Sequence, residues 1–157
     1  MSAKIGAEQR FRELGVTLPP PPTPYGQYVE TVKIGNLLYL SGMLPVIGGV
    51  PEYIGRVGGQ LSVEDGRKAA ETSCLNALSA VKAAIGSLDK VVGVAKLGVY
   101  IATEGDFREH PKVADGASEL LAKVFGTEML SGRVVLGVAS IPLGLPVEVE
   151  LIFEIRE

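Results

Sequence analysis

Two charged residues stand where their surroundings are apolar. In "SGRVVLGVASIP", residues 131–142, every residue from Val134 to Ile141 is apolar, glycine or a small serine, and Arg133 heads the run. Its guanidinium cannot lose its charge, and its planar fork can hold a carboxylate through two parallel hydrogen bonds. Glu148 stands in "VEVELIFEI", residues 147–155, where Val147, Val149, Leu151, Phe153 and Ile155 alternate with Glu148, Glu150, Ile152 and Glu154. That period of two is a strand with one packed face, and Glu148 falls on the other. Each residue also has a plain structural alternative. Arg133 can be a strand-end cation paired with a carboxylate, and Glu148 one of several solvated glutamates. Residue type and spacing alone leave both alternatives open.

The other reactive side chains offer less. Tyr25 follows a proline and reads first as a packing residue. Ser41, in "LYLSG" with Gly42 after it, reads as a turn hydroxyl, because a lone His110 cannot support a nucleophile triad with any assurance of geometry. One histidine also excludes a His-rich metal site and a two-histidine acid/base pair. The single Cys74 lies on the apolar stripe of a helical pattern and reads as a small core residue.

Composition narrows the classes. The chain has 157 residues, 46% of them hydrophobic and 21% charged, which suits one folded domain spanning 1–157. A net charge of −3 argues against a broad grip on nucleic-acid phosphates or anionic lipid. The start "MSAKIGAEQRF" has no continuous apolar stretch of signal-peptide type, and no run is long enough to span a membrane. One cysteine allows no disulfide within the chain, so a cytoplasmic protein is expected.

The elements that must position these residues follow an α+β order. Residues 6–14 are amphipathic and helical up to Gly15. "LPPPPTP", residues 18–24, carries five prolines and reads as an extended strap on the surface; residues 1–24 are thus an N-terminal helix and strap ahead of residues 25–157. Residues 28–45 read as two strands turning near Gly35-Asn36, and 46–60 as a glycine-rich connection that lacks the G-K-[ST] of a phosphate loop. Residues 61–86 form the strongest helix, with Ser62 and Asp65 as a capping box, a stripe of Cys74, Leu78, Val81 and Ile85, and Gly86 as the stop. Residues 91–103 are a strand. A second helix, capped by Asp106 and interrupted early by Pro111, runs to Gly126, with Leu120, Leu121, Val124 and Phe125 as its packing side. Strands 133–140 and 147–155 close the chain.

Both helices belong on one face of a mixed sheet. The other face is only partly polar, and strand 133–140 is apolar on both sides, so an uncovered apolar surface and hence oligomerisation are expected. If the last two strands form a hairpin with Ser140 opposite Val147, Glu148 stands opposite Ala139. Arg133 is then about 20 Å further along. The two could not touch one ligand within a chain, but could meet across an interface in a closed ring.

At this point the sequence resembles a known family. "PYGQYVETVKIGNLLYLSGMLP", residues 24–45, resembles the opening P-Y-S-Q-A-V-x-x-G-N-x-x-x-x-S-G-Q-I-P of the Rid family (reactive intermediate deaminases, also called YjgF-like proteins). "SLDKVVGVAKLGVYIATEGDF", residues 87–107, is similar to its S-L-x-x-V-V-K-x-x-V-Y-x-x-x-x-x-D-F. Residues 133–150 resemble its signature R-x8-P-x4-V-E-I-E through Arg133, Pro142, Val147, Glu148 and Glu150. The resemblance implies a chorismate-mutase-like fold in a homotrimer with an inner barrel and sites between subunits. It implies hydrolysis of amino-acid-derived enamines and imines to 2-keto acids and ammonia, without a cofactor. Arg133 would hold the substrate carboxylate, Glu148 would position the attacking water, and Tyr25, Ser41 and Gly42 would line the pocket. The chain departs from the pattern at Gly26, Met43, Val135 and Pro111, where the family commonly has serine, glutamine, cysteine and asparagine. Three functions compete: an imine deaminase acting on a 2-imino acid, a non-catalytic regulatory trimer binding small carboxylates such as 2-keto acids, and, ranked last for this acidic chain with one histidine, an endoribonuclease.

Overall fold

A computed structural model describes residues 4–157. The elements in chain order are α1 (Ala7–Glu13), β1 (Thr31–Ile34), β2 (Leu37–Leu40), β3 (Val46–Ile47), β4 (Val50–Pro51), α2 (Val63–Ile85), β5 (Val91–Ala102), α3 (His110–Phe125), β6 (Gly132–Val138) and β7 (Val147–Ile155). Two of the strands, β3 and β4, are a small separate ribbon inside the connection expected to be loop. The other five form one sheet in the order β1-β2-β7-β5-β6, and α2 and α3 pack on one of its faces.

Local chemistry explains the boundaries. The Ser62 hydroxyl accepts the Asp65 N–H at 3.0 Å while the Asp65 carboxylate accepts the Ser62 N–H at 2.9 Å, so two donors that α2 would leave bare are satisfied. Gly86 ends the helix in the left-handed conformation at φ 88°. β1 and β2 turn tightly at Gly35 and Asn36, with Ile34 opposite Leu37 and Gly35 at φ 58°, as a two-residue hairpin requires. Asp106 does not cap α3. It pairs with Arg108 instead, and the helix starts at His110, with Pro111 in its first turn. A proline lacks the N–H that an interior position must donate, and the first turn is where that loss is free. The two main helices touch closely at Gly116, where a Cβ would fall 2.1 Å from the Arg67 carbonyl oxygen.

The last two strands do not form a hairpin. β6 lies parallel to β5, with Leu97 opposite Arg133 and Val99 opposite Val135. β7 lies antiparallel to β5 on its other side, with Val99 opposite Val149 and Tyr100 opposite Glu148. The reason is the helix between β5 and β6: a strand–helix–strand crossover returns the chain parallel to its first strand. Residues 139–146 then carry it past the end of β5 to the far side.

Register divides the sheet into two faces. Leu38, Leu97, Val99, Ile101, Val147, Val149, Leu151 and Phe153 point at the helices and are fully buried or nearly so. Val32, Tyr39, Ile152, Tyr100, Leu136 and Val134 share the opposite face with Lys96, Glu148 and Glu150. Among the described residues no element covers that face, and Leu136 remains 51% exposed. On the helix side β6 is not purely apolar, since it carries Arg133 as well as Val135.

The N-terminal segment is tied down at both ends. Phe11 of α1 is buried, and Glu8 accepts the Leu88 N–H at 2.8 Å and the Lys82 ammonium at 2.9 Å. Those donors hold the Glu8 carboxyl below its usual range against the opposing effect of burial. The proline strap is fastened by the buried Ser79 hydroxyl, which donates to the Pro19 carbonyl at 2.7 Å.

Candidate active site

Glu148 and Gly42 are brought together by one bridge. Beyond β2 the chain crosses to β7, where Met43 and Val149 exchange two backbone hydrogen bonds of 2.7 and 2.9 Å. That bridge lays Gly42 under the Glu148 side chain so closely that a Cβ on residue 42 would fall 2.1 Å from Oε1 of Glu148. A side chain at residue 42 would therefore push the Glu148 carboxylate out of this position. The carboxylate is half-buried on the uncovered face of the sheet. Burial raises its pKa first, and the charge of Glu150 adds to the rise. Glu150 itself accepts the Tyr100 hydroxyl at 2.6 Å, with Lys96 at 3.7 Å.

Beside Gly42 opens a cavity of about 260 Å³. The proline strap from Pro20 to Thr23 forms one wall, Tyr25, Tyr28 and Glu30 line it further, and Met43, Leu44 and Val46 contribute apolar surface. Asn76 of α2 also reaches it, its amide nitrogen donating at 2.8 Å to the carbonyls of both Leu44 and Val46. Tyr25 is 58% exposed, and its N–H donates to the Tyr28 hydroxyl at 2.9 Å. Ser41 is adjacent in sequence but its groups are committed. Its hydroxyl donates to the Val29 carbonyl at 2.6 Å and its N–H to the Glu30 carbonyl at 2.9 Å, so it anchors the segment that carries Glu30.

Arg133 is not with them in the same chain. It pairs with Leu97 on the helix side of the sheet, whereas Glu148 pairs with Tyr100 on the opposite side. Three residues along β5 and two strands across put their backbones roughly 14 Å apart. The two residues are therefore not separated along a hairpin, as expected, but by β5, which lies between their strands. Nη1 of Arg133 donates to Asp115 Oδ1 at 2.7 Å and to Ser118 Oγ at 3.1 Å on α3. Its Nε and Nη2 contact no acceptor among the described residues.

Two other side chains are accounted for by packing. Cys74 is fully buried, and its thiol is pushed far up by desolvation, so it is a core residue and no nucleophile. His110 sits edge-on to Phe107 with ring centres 5.0 Å apart. Among the described residues no group of His, Cys, Asp and Glu could hold a metal ion. No described helix is long and apolar enough to cross a membrane. Sequence reading missed Tyr28, Glu30 and the strap as cavity walls; the prolines were visible, but nothing in them showed what they lean against.

A mixed sheet with two helices on one face, a half-buried carboxylate on the other and a cavity beside it at Gly42 defines a small α+β protein of chorismate-mutase-like architecture. Residues 8–155 match the family described as "YjgF/chorismate_mutase-like, putative endoribonuclease", and the chain belongs to that family. Protein TCP17 of Trypanosoma cruzi is 39% identical over 158 residues, 99% of this chain and 96% of its own. A crystal structure described as "a putative endoribonuclease" from Shewanella oneidensis superposes with a TM-score of 0.92 at 30% identity, covering 96% of this chain and 100% of that one. The 2-iminobutanoate/2-iminopropanoate deaminase of Dermatophagoides farinae is 29% identical over 141 residues, 90% of this chain and 95% of its own.

Proposed function

We propose that this protein hydrolyses reactive 2-imino and enamine acids to 2-keto acids and ammonia, at sites completed between the subunits of a homotrimer. The observation that carries the reading is Glu148, a desolvated carboxylate on the uncovered face of the sheet, laid against Gly42, which in turn lines the cavity. A carboxylate of raised pKa is a stronger base near neutral pH. Glu148 would take a proton from water as the oxygen bonds to the imine carbon. In the carbinolamine the amine takes that proton back from Glu148, the C–N bond breaks as ammonia leaves, and the hydroxyl gives its proton to Glu148, so that the carbonyl remains. The C=N carbon is electrophilic without further activation, so these groups suffice.

Tyr25, Gly42 and Glu148 come from one subunit, with Ser41 as the anchor behind them. Arg133, on the other side of its own sheet, would come from a neighbour. The edge of its guanidinium not engaged with Asp115 and Ser118 is left for the two oxygens of a substrate carboxylate. The trimer interface would seal the apolar face that holds Val134, Leu136 and Tyr39.

The test generates an imine with an amino-acid oxidase and traps what survives as the semicarbazone. Wild-type protein should lower the trapped product, and Glu148→Gln should lose ~10²–10⁴-fold of that rate while still binding a 2-keto acid. Undiminished trapped product across several amino acids would replace this reading with that of a non-catalytic carboxylate-binding trimer. Equal rates in wild type and Glu148→Gln would mean that another group positions the water.

A further inference from the structure

The cavity beside Gly42 holds one charged group that imine hydrolysis leaves idle. Glu30 lines it, and its backbone carbonyl is engaged by Ser41, but its carboxylate meets no cation, hydroxyl or N–H among the described residues. It is half-buried, and burial alone raises its pKa. A carboxylate withdrawn from water without a partner is costly. The group that relieves that cost is a cation.

The rest of the wall agrees with a cation. Prolines have no N–H, so Pro20, Pro21 and Pro22 can present carbonyl acceptors and apolar ring but no backbone donor. The Asn76 amide nitrogen is already committed to two carbonyls. Tyr25 and Tyr28 add aromatic surface, against which a guanidinium or ammonium is stable. Acceptors and rings are thus plentiful, the remaining donors, such as the Thr23 and Tyr28 hydroxyls, are neutral, and no cationic side chain lines the cavity among the described residues. At about 30 Å³ per water-sized atom, a cavity of about 260 Å³ has room for a side chain as long as that of arginine.

We propose that Glu30 and the proline strap select substrates whose side chain ends in a cation, the guanidinium or ammonium pairing with the Glu30 carboxylate while the imino-acid end reaches Glu148. This rests on the deaminase reading for the reaction, but not for the binding preference.

Two measurements separate them. In the trapping assay, the imine from L-arginine should be hydrolysed with a kcat/KM about tenfold or more above that from L-norleucine. In calorimetry, 5-guanidino-2-oxopentanoate should bind with a similar advantage over 2-oxohexanoate. Glu30→Gln should bring both ratios close to one, and Glu30→Asp should keep part of the preference. Glu30→Lys should turn it toward the acidic 2-oxoadipate, an inversion that a merely structural role for Glu30 would not produce. If neither imine is hydrolysed but the binding preference follows Glu30, the selection stands and the deaminase reading falls. If both imines are hydrolysed equally well and both keto acids bind equally, the reaction stands and the selection is overturned. A preference that survives in Glu30→Gln and Glu30→Lys, or no binding of either keto acid, overturns it as well.

Discussion

The two faces of the sheet are built from the same strands and differ in what completes them. On the helix side, Leu97, Val99, Leu151 and Phe153 are sealed by α2 and α3 with no exposed area to speak of. On the other side Val134 and Leu136 are 43% and 51% exposed, and they share their surface with Lys96, Glu148 and Glu150. The first face is finished within the chain. The second is apolar enough to seek cover and charged enough to do chemistry. A fold that leaves a face open in this way places its candidate catalytic carboxylate where another subunit can close over it.

Substitutions at matched depth on the two faces should break this contrast most sharply. Leu151→Ala removes a buried side chain from the sealed face and should cost about 2–5 kcal/mol of stability, read from denaturant unfolding. A loss under about 1 kcal/mol would mean that this face is less tightly packed than its burial indicates. Leu136→Lys, on the open face, should change the stability of the isolated fold by no more than about 0.5 kcal/mol but prevent association, because the interface would bury an unpaired charge. Light scattering should give three times the chain mass for wild type and one chain mass for the variant, with unchanged circular dichroism. An unchanged mass in Leu136→Lys would place the interface elsewhere.

A smaller effect sharpens the comparison. Glu148 is raised above the ordinary carboxylate value of 4.5 in the folded chain, so folding favours its protonated form. Its contribution is most favourable below the unfolded value and is lost as pH rises through the folded value. Glu148→Gln should therefore raise the unfolding midpoint at pH 7, and the gain should vanish as the pH falls below about 4.5. A variant less stable than wild type at pH 7 would show that the ionised carboxylate is well solvated or well paired. Stability gained together with activity lost is the usual mark of a strained functional group.

Much of the fold could be read from the chain because its signals are local. The Ser62–Asp65 box, the Gly86 stop, the Gly35-Asn36 turn and the alternation of β7 each depend on residues a few positions apart, and each is found in the structure. Glu148 on the polar side of β7 followed from that alternation, and Cys74 in the core from the stripe of α2. The start of α3 was misplaced at Asp106 although the decisive residue, Pro111, was in view.

Strand partnership was not legible. Residues 133–140 and 147–155 are close enough in sequence for a hairpin, and nothing local forbids one, yet β5 separates them. The crossover through α3 sets that order, and its stability comes from long-range burial that no short window contains. The same holds for the site. That Arg133 meets Asp115, that the Glu148 carboxylate lies against Gly42, and that the strap walls a cavity lined by Glu30 are contacts between segments that are distant in sequence. Residue types along a chain specify what each group can do; which groups face one another is set by how the layers pack, because packing joins surfaces whose neighbours in space are not neighbours in sequence.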